Sequence, residues 1–367
     1  MKITALRIYQ TDLPYVGGTY GWGAGNAISV AKASIVVLET DAGITGCGEF
    51  TPCGENYMVA HSEGVAATAK LLAPILIGQD PRQIDAIDYA MDHAVQGHGY
   101  AKSPIVAACY DILGKALEVP VWMLIGDKLT DGAPMYRVAP QKSVEETKAE
   151  LNQHRAAGYR QFQVKVGADW EVDIDRIRST VPLLQKGEKA MADANQGWRV
   201  DNAIRVANAT KDLDYILEQP CHTYEECQQV RRHVSQPMKL DECVTGMRAA
   251  QRIVQDQGAE ICCLKISNLG GLAKARRVRD FLIANRIPVV SEDTWGGEIT
   301  SSAVAHFAAS TPEDYLINST DLHNYNTRST GIGGPTVKDG KLYATDTPGL
   351  GVEPDYDSIG DPIAIYR

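Results

Sequence analysis

The sequence lacks the features of membrane, secreted and nucleic-acid-binding proteins. No run reaches the roughly 18 uninterrupted apolar residues that a membrane-spanning helix needs, and residues 1–7 lack the apolar core of a signal peptide. Positive charge is in deficit, because 36 Lys and Arg residues stand against 46 Asp and Glu residues, a formal net charge of −10. A nucleic-acid-binding surface is normally basic. We therefore expect a cytoplasmic protein that binds neither nucleic acid nor a membrane.

The eight cysteines and eight histidines also lack the spacings that mark metal or redox sites. No C-x-x-C pair is present, and His93 and His98 do not have the i, i+4 spacing of a helical metal pair. Cys262 and Cys263 are adjacent in an apolar run, so on a strand they point to opposite faces and should be buried thiols. A disulfide scaffold and a zinc cluster are thereby excluded.

What is present is an ordinary globular composition, with 44% apolar and 22% charged residues in 367 positions. This length fits one large barrel with an appendage. Strand patterns precede helical ones in the first 125 residues, which predicts an α+β domain. The predicted strands are 3–9, 33–39 and 44–50, and the predicted helices are 61–75, 84–95 and 101–118.

The chain becomes periodic from about residue 135, where eight apolar runs of strand length alternate with amphipathic helices. One helix should begin at the capping box Ser143-x-x-Glu146 and end at Gly158. Eight parallel strands close a barrel, but residues 321–345 show no helical stripe. We therefore predict an α/β fold, a (β/α)7β modified TIM barrel at 126–345, with a capping domain at 1–125 that is completed by a tail at 346–367. The predicted barrel strands are 135–139, 160–166, 190–194, 215–217, 238–240, 261–266, 288–290 and 315–317.

Ionisable residues recur once per βα unit, at the carboxyl ends of barrel strands two to seven. Any one of them could be a helix cap, but six in register at the catalytic end of a barrel favour an active site. Three carboxylates on consecutive strands suit Mg²⁺, and the two lysines lie on opposite strands of the ring. The six residues are Lys165, Asp193, Glu218, Asp241, Lys265 and Asp293.

Such a site could remove the proton next to a substrate carboxylate. A divalent ion stabilises the negative charge that develops there, and a neutral lysine could act as the base. A free lysine is mostly protonated at pH 7, with a pKa of about 10.4, so we expect Mg²⁺, the second lysine and burial to lower it. A lysine on each face allows epimerisation, or loss of a hydroxyl from the next carbon.

These residues resemble the enolase superfamily, in its muconate-lactonizing-enzyme subgroup, over nearly the whole chain. The resemblance implies Mg²⁺ held by Asp193, Glu218 and Asp241, and Lys165 and Lys265 as the acid/base pair. It also implies a homo-oligomer and capping-domain loops, 16–26 and the one around Tyr57, that close the barrel mouth. The motifs are Val164-Lys165-Val166, Asp193-x-Asn195, Glu218-Gln219-Pro220, Asp241-Glu242, Lys265-Ile266-Ser267-x-x-Gly270-Gly271 and Pro348-Gly349-Leu350-Gly351.

One departure narrows the resemblance, because Gln163 stands where most of the subgroup has a second lysine. This glutamine and three further motifs make the chain similar to the branch of the subgroup that acts on proline derivatives. The motifs are Gly97-His98-x-Tyr100-Ala101-Lys102, Glu218-Gln219-Pro220-Cys221 and Glu292-Asp293-x-Trp295-Gly296-Gly297. That similarity implies dehydration of cis-3-hydroxy-L-proline to Δ1-pyrroline-2-carboxylate, with competing 2-epimerisation to trans-3-hydroxy-D-proline. The alternative is 2-epimerisation of proline betaine or 4-hydroxyproline betaine. The expected substrate contacts are Tyr57, Gln163, Asp293 and Trp295.

Three other interpretations of the barrel remain open. A Schiff-base aldolase would also use a barrel lysine, although the three carboxylates count against it. A sugar-acid dehydratase of the same superfamily is disfavoured because Lys265 occupies the end of strand six. A barrel without catalytic activity should have a broken ligand set, whereas this one is intact.

Overall fold

The computed structural model describes residues 1–139 and 143–367. Its N-terminal part contains an antiparallel sheet whose long first strand pairs with β4 along nearly its whole length. The three predicted strands are confirmed, the first extending to Pro14. The strands are β1 (Ile3–Pro14), β2 (Tyr20–Trp22), β3 (Asn26–Ile28), β4 (Val30–Thr40) and β5 (Thr45–Phe50).

The three predicted helices follow this sheet, and the first and third of them pack against it. No described helix is long and apolar enough to cross a membrane. The longest of the N-terminal helices, α3, is buried along most of its length because it lies between the sheet and the barrel. The N-terminal helices are α1 (Ser62–Leu76), α2 (Ile84–Ala94), α3 (Gly99–Leu117) and α4 (Val121–Leu124).

Eight parallel strands then form the predicted barrel. They pair in sequence order from β7 to β14, and a bridge between Met135 and Ser319 joins the two ends. Each strand differs from its predicted range by no more than a few residues. After the short β6 (Ala133–Pro134), the barrel strands are β7 (Tyr136–Ala139), β8 (Gln161–Lys165), β9 (Lys189–Asp193), β10 (Ile216–Glu218), β11 (Met238–Leu240), β12 (Ile261–Lys265), β13 (Val289–Glu292) and β14 (Leu316–Ser319).

Helices alternate with the barrel strands. The predicted capping box is confirmed at the start of α5, where the Ser143 hydroxyl and the Glu146 carboxylate each bond to the other residue's backbone N–H. That helix ends just before Gly158. The helices are α5 (Val144–Ala156), α6 (Trp170–Thr180), α7 (Val200–Ala209), α8 (Tyr224–Arg231), α9 (Met247–Asp256), α10 (Ile266–Leu269), α11 (Leu272–Ala284) and α12 (Glu298–Ala309).

The chain after β14 crosses back to the N-terminal part. Residues 321–345, all described, contain no α-helix, which confirms the missing eighth helix. The last strand pairs antiparallel with β1 and so completes the N-terminal sheet. The domain boundaries at 125 and 345 stay a prediction. The terminal elements are β15 (Gly331–Gly333), β16 (Thr336–Lys338), β17 (Lys341–Tyr343), β18 (Val352–Pro354), α13 (Tyr356–Ile359) and β19 (Ala364–Tyr366).

A buried carboxylate fixes the N-terminal sheet to the mouth of the barrel. Glu49 on β5 accepts hydrogen bonds from the backbone N–H groups of Gly297 (2.7 Å) and Thr300 (3.1 Å), at the start of α12. It also accepts one from the Thr330 hydroxyl at 3.0 Å. A carboxylate at a helix N-terminus is favoured by the exposed N–H groups and the helix dipole. The residues that follow β5 are thereby held over the barrel.

Candidate active site

The six predicted ionisable residues lie at the mouth of the barrel, and all of them line one cavity of about 40 Å³. Four are the last residues of their strands, and two follow a strand by one residue. Each is buried. A cavity of this size holds a few waters, which matches an ion and a small molecule rather than a polymer.

Lys165, at the end of β8, contacts a carboxylate and an amide. Its Nζ donates to Oδ2 of Asp193 at 2.6 Å and to Oδ1 of Asn195 at 3.0 Å. Burial lowers the pKa of Lys165, but Asp193, Tyr20 and Glu218 outweigh it, and the pKa is held well above its ordinary value. The sequence led us to expect a lowered pKa for Lys165. These side chains raise it instead, because carboxylates surround the amine.

Lys265, at the end of β12, approaches the cavity from the opposite side of the barrel, four strands away. Its Nζ donates to Oδ2 of Asp241 and lies 3.3 Å from Oε2 of Glu292. Burial again lowers the pKa, and Asp241 and Glu292 are among the groups that raise it well above its ordinary value. Both lysines are thus paired with carboxylates, which favour the charged form of each amine.

The three carboxylates predicted to bind Mg²⁺ lie at the carboxyl ends of three consecutive strands, β9, β10 and β11. Burial, followed by the negative charges of Asp193 and Asp241, raises the pKa of Glu218 to about 7, although Lys239 and Lys165 lower it. Oδ1 of Asp241 is buried and has no hydrogen-bond partner among residues 1–139 and 143–367. An all-oxygen set with excess negative charge and an unpartnered ligand atom fits a hard divalent cation.

A second set of potential ligand atoms is present at the cavity. These atoms all lie within 4.8 Å of one another and belong to Asp241, Cys263 and Glu292. Burial raises the pKa of the Cys263 thiol well above its usual value, so the sulfur stays protonated. It donates to Oε2 of Glu292 at 3.0 Å. A protonated thiol is a poor partner for Mg²⁺, which prefers oxygen, so this set does not compete with the predicted one.

The predicted substrate contacts Gln163 and Tyr57 line the cavity but also hold the carboxylates. Nε2 of Gln163 donates to Asp193 at 3.0 Å and to Glu218 at 3.1 Å, while its Oε1 is buried and has no partner in the described part of the chain. The Tyr57 hydroxyl donates to Oδ2 of Asp241 at 3.3 Å. Gln163 therefore bridges two predicted metal ligands, a contact that sequence reasoning did not anticipate.

The other two predicted contacts, Asp293 and Trp295, also line the cavity, but their polar atoms are already bonded. Asp293 accepts from the Ser267 backbone N–H (3.0 Å) and hydroxyl and from the Thr294 N–H (2.8 Å), although burial raises its pKa to about 6. The Trp295 indole N–H donates to Asn326 at 2.8 Å. Their assignment as substrate contacts stays a prediction.

Sequence reasoning missed two buried ionisable residues beside the cavity. Lys239 on β11 forms an ion pair with Oε1 of Glu218 at 2.6 Å, and neither side chain is exposed. Glu292, the last residue of β13, accepts from the Tyr136 hydroxyl at 2.5 Å. A strand period of two could have identified Lys239, since it lies two residues before Asp241 and therefore faces the same way.

The N-terminal part closes the cavity with the β2–β3 hairpin and the loop after β5. Tyr20 and Trp22 of β2 line the cavity together with Cys53 and Tyr57. The hairpin contacts the barrel at Gly23, where an added Cβ would lie 2.1 Å from the carbonyl oxygen of Ala194. The expectation that both loops close the barrel mouth is confirmed.

Comparisons with known proteins agree with this architecture. Residues 24–126 match the mandelate racemase/muconate lactonizing enzyme N-terminal domain, and residues 146–358 match the enolase C-terminal domain-like family. A cis-3-hydroxy-L-proline dehydratase from Roseibium aggregatum is 42% identical over the full length of both chains. An N-succinyl-L-Arg/Lys racemase from Bacillus cereus is 28% identical over 98% of this chain and 97% of the racemase.

Solved structures extend the comparison. A mandelate racemase/muconate lactonizing enzyme from Roseovarius nubinhibens is 75% identical, with a TM-score of 0.99 over 100% of this chain and 99% of that one. A protein of the same description and organism, complexed with magnesium, is 32% identical, with a TM-score of 0.95 over 100% of both chains. The chain is therefore an enzyme of the enolase superfamily and belongs to its mandelate racemase/muconate lactonizing enzyme family.

Proposed function

We propose that the enzyme dehydrates cis-3-hydroxy-L-proline to Δ1-pyrroline-2-carboxylate in a magnesium-dependent reaction, with competing 2-epimerisation to trans-3-hydroxy-D-proline. The observation that carries the proposal is the pair of buried lysines, Lys165 and Lys265, on opposite strands around one small cavity. The 42% identity to a cis-3-hydroxy-L-proline dehydratase supports the choice of substrate.

The stereochemistry of the substrate fits two opposed lysines. The 3-hydroxyl and the carboxylate share one face of the ring, so the C2 proton lies on the face opposite the hydroxyl. Lys165, as the free amine, takes the C2 proton, and the electron pair of that bond forms an enolate. Expulsion of the hydroxyl by this electron pair creates the C2=C3 bond, and Lys265 protonates the departing oxygen to give water. The enamine product then tautomerises to Δ1-pyrroline-2-carboxylate.

Asp193, Glu218 and Asp241 would hold Mg²⁺, one ion per subunit. When bound, the ion would stabilise negative charge on the substrate carboxylate as C2 loses its proton. The protein keeps this ligand set in place through Gln163 and Lys239, which contact two of the carboxylates. A cation on these carboxylates would also reduce the negative charge that raises the pKa of both lysines.

The remaining pocket residues have proposed roles at the substrate ring. Tyr57 and Trp295 cover its apolar surface from the capping side and the barrel side. Gln163 offers its unpartnered Oε1 to a donor on the substrate. Asp293 places negative charge near the ring ammonium while its oxygens keep their bonds to Ser267.

A second candidate function is 2-epimerisation of proline betaine or 4-hydroxyproline betaine. The observation that favours it is the number of aromatic side chains around the cavity, because aromatic faces attract quaternary ammonium groups. Lys265 would then return a proton to C2 from the far side instead of protonating a hydroxyl. The aromatic lining comprises Tyr20, Trp22, Tyr57, Tyr136, Trp295 and Tyr325.

Proton NMR in D₂O with Mg²⁺ distinguishes these functions. The substrates are proline, the 3- and 4-hydroxyproline isomers, and their betaines. Loss of the 3-hydroxyl with formation of the imine is expected for cis-3-hydroxy-L-proline, and Lys165→Ala and Lys265→Ala should each slow it by about 10²-fold or more. Lys186→Ala, at an exposed lysine, is the control. Near-normal dehydration by either active-site variant contradicts the assignment, and inversion of a betaine without any dehydration favours the second function.

A further inference from the structure

Glu292 is a buried carboxylate beside the cavity that neither the predicted metal set nor the acid/base pair includes. It is the last residue of β13, and its two oxygens are fully engaged. Oε1 accepts from the Tyr136 hydroxyl at 2.5 Å, and Oε2 accepts from the Cys263 thiol at 3.0 Å and from Lys265 Nζ at 3.3 Å. The carboxylate is therefore fixed in position by groups on two other strands.

The two lysines have matching positions in the barrel. Lys165 is the register partner of Asp193 across β8 and β9, and Lys265 is the register partner of Glu292 across β12 and β13. Each lysine thus faces a carboxylate on the next strand. For Lys165 this carboxylate is a predicted metal ligand, whereas for Lys265 it is not.

The other contacts of the two lysines differ in charge. Apart from Asp193, the one acceptor of the Lys165 amine among the described residues is the neutral amide of Asn195. The Lys265 amine is bonded to Asp241 and to the carboxylate of Glu292. A cation held by Asp193 and Asp241 would compete with both amines for carboxylate oxygen. Lys165 then keeps a neutral partner, but Lys265 keeps a charged one.

We infer that Glu292 is a positioning residue that holds the Lys265 amine for its role as proton donor. Its charge also makes the two lysines differ, because the partner that Lys265 keeps is charged and the partner that Lys165 keeps is neutral. This inference rests on the proposed function. In the step that Glu292 serves, an N–H bond of Lys265 breaks and its proton joins the 3-hydroxyl oxygen as the C3–O bond breaks. The electron pair that Lys165 released at C2 becomes the C2=C3 bond, so the products are water and the enamine.

Glu292→Gln tests the inference because it keeps the size of the side chain and removes its charge. Dehydration of cis-3-hydroxy-L-proline should fall by about 10²-fold, the usual contribution of a positioned general acid. Exchange of the C2 proton for deuterium, which needs Lys165 but not Lys265, should fall by less than about tenfold. Both rates come from the same NMR time course in D₂O. Calorimetric titration with Mg²⁺ checks that the metal site is intact.

Two further variants separate positioning from folding. Glu292→Asp restores the charge and should recover part of the dehydration rate. Tyr136→Phe removes only the hydroxyl that donates to Glu292 and should shift the ratio of dehydration to exchange in the same direction, by a smaller factor. If Glu292→Gln does not fold, the ratio of dehydration to exchange in Tyr136→Phe tests the positioning role of Glu292.

The contrary results are equally specific. A parallel fall of dehydration and exchange in Glu292→Gln, or no change in either, overturns the role of Glu292. A wild-type enzyme that inverts C2 without releasing water overturns the proposed dehydration instead. The inference about Glu292 is then tested on inversion, which also needs a proton from Lys265, and exchange without inversion in Glu292→Gln would support it.

Discussion

At the scale of single residues, His306 on α12 joins three parts of the chain. Its Nδ1 accepts from the Trp122 backbone N–H of α4 at 3.3 Å, and its Nε2 lies 3.1 Å from the carbonyl oxygen of Leu350 in the tail. These partners require a neutral ring with the proton on Nε2. Burial lowers the pKa of this histidine from 6.5 to about 4.

His306 should therefore make the protein less stable in mild acid. The unfolded chain binds a proton at this site as the pH falls through 6.5, whereas the folded protein does not do so until about pH 4. Between these values acid favours unfolding, and the loss from pH 7 to pH 5 is about 2 kcal/mol. Urea unfolding at the two pH values measures it.

The matched variants are His306→Gln and His233→Gln, the second at an exposed position. Removing the His306 ring should make the protein less stable at pH 7, because two hydrogen bonds are altered, and should also reduce the acid-dependent loss. His233→Gln should leave both values close to those of the wild type. An equal loss of stability from pH 7 to pH 5 in His306→Gln and wild type would contradict the burial of a neutral ring.

The active-site residues show how far residue patterns alone can predict a site. The spacing of one ionisable residue per βα unit predicted six residues that line the cavity, but it missed a seventh, Glu292. It selected Asp293, directly after β13, but the residue in register with Lys265 is its neighbour Glu292. Both fit the spacing, and only the register of the strand determines which side chain faces Lys265. Register depends on the assembled barrel, so the sequence could not decide it.

At the scale of elements, the buried barrel strands and the long helices were predictable, but the three-residue strands outside the barrel were not. The β2–β3 hairpin overlaps the segment 16–26, which the sequence predicted only as a glycine-rich loop. Its shape depends on contact with the barrel, where the backbone N–H of Ala24 donates to the carbonyl oxygen of Gly167 at 2.9 Å. A segment this short has no periodic pattern of its own.

A methyl group at Gly23 should displace the hairpin from the barrel. An added Cβ would lie 2.1 Å from the Ala194 carbonyl oxygen, which is part of the backbone and has little freedom to move. Because β2 carries Tyr20 and Trp22 into the cavity, Gly23→Ala should raise KM by about tenfold or more, a loss of roughly 1.4 kcal/mol of binding. Steady-state kinetics provide the measurement.

Gly21→Ala is the control for this hairpin. Its added Cβ would lie 3.8 Å from the nearest atom, the Asn26 carbonyl oxygen, which is an ordinary contact. KM should stay near the wild-type value in this variant. If Gly23→Ala also had a KM near the wild-type value, the contact between the hairpin and the barrel would not shape the site.

At the scale of the whole molecule, the N-terminal part, the barrel and the tail interlock. Asp111 on α3 accepts hydrogen bonds from the Cys47 N–H of β5 at 3.0 Å and from the Leu350 N–H of the tail at 2.8 Å. The pattern of strands and helices in the sequence predicted this architecture, including the tail. The homo-oligomer and the cytoplasmic location stay predictions, because a single chain contains no contact that tests them.

Mg²⁺ should stabilise the whole folded molecule, because its predicted ligands lie on or after β9, β10 and β11, which are neighbours only in the assembled barrel. A ligand that binds only the folded state adds about 2.7 kcal/mol at a concentration 100 times its Kd, which raises Tm by a few degrees. Differential scanning calorimetry with Mg²⁺ and with EDTA measures the shift.

Asp241→Asn should abolish that shift, since it keeps the size of the side chain and removes the charge of the one predicted ligand with an unpartnered buried oxygen. Asp201→Asn, at an exposed aspartate on α7, should retain it. A full shift in Asp241→Asn would mean that Mg²⁺ binds elsewhere. We propose that a cation neutralises the excess of buried negative charge at Glu218 and its neighbours. A full shift in Asp241→Asn would therefore also remove the proposed reason why these carboxylates cluster at the barrel mouth.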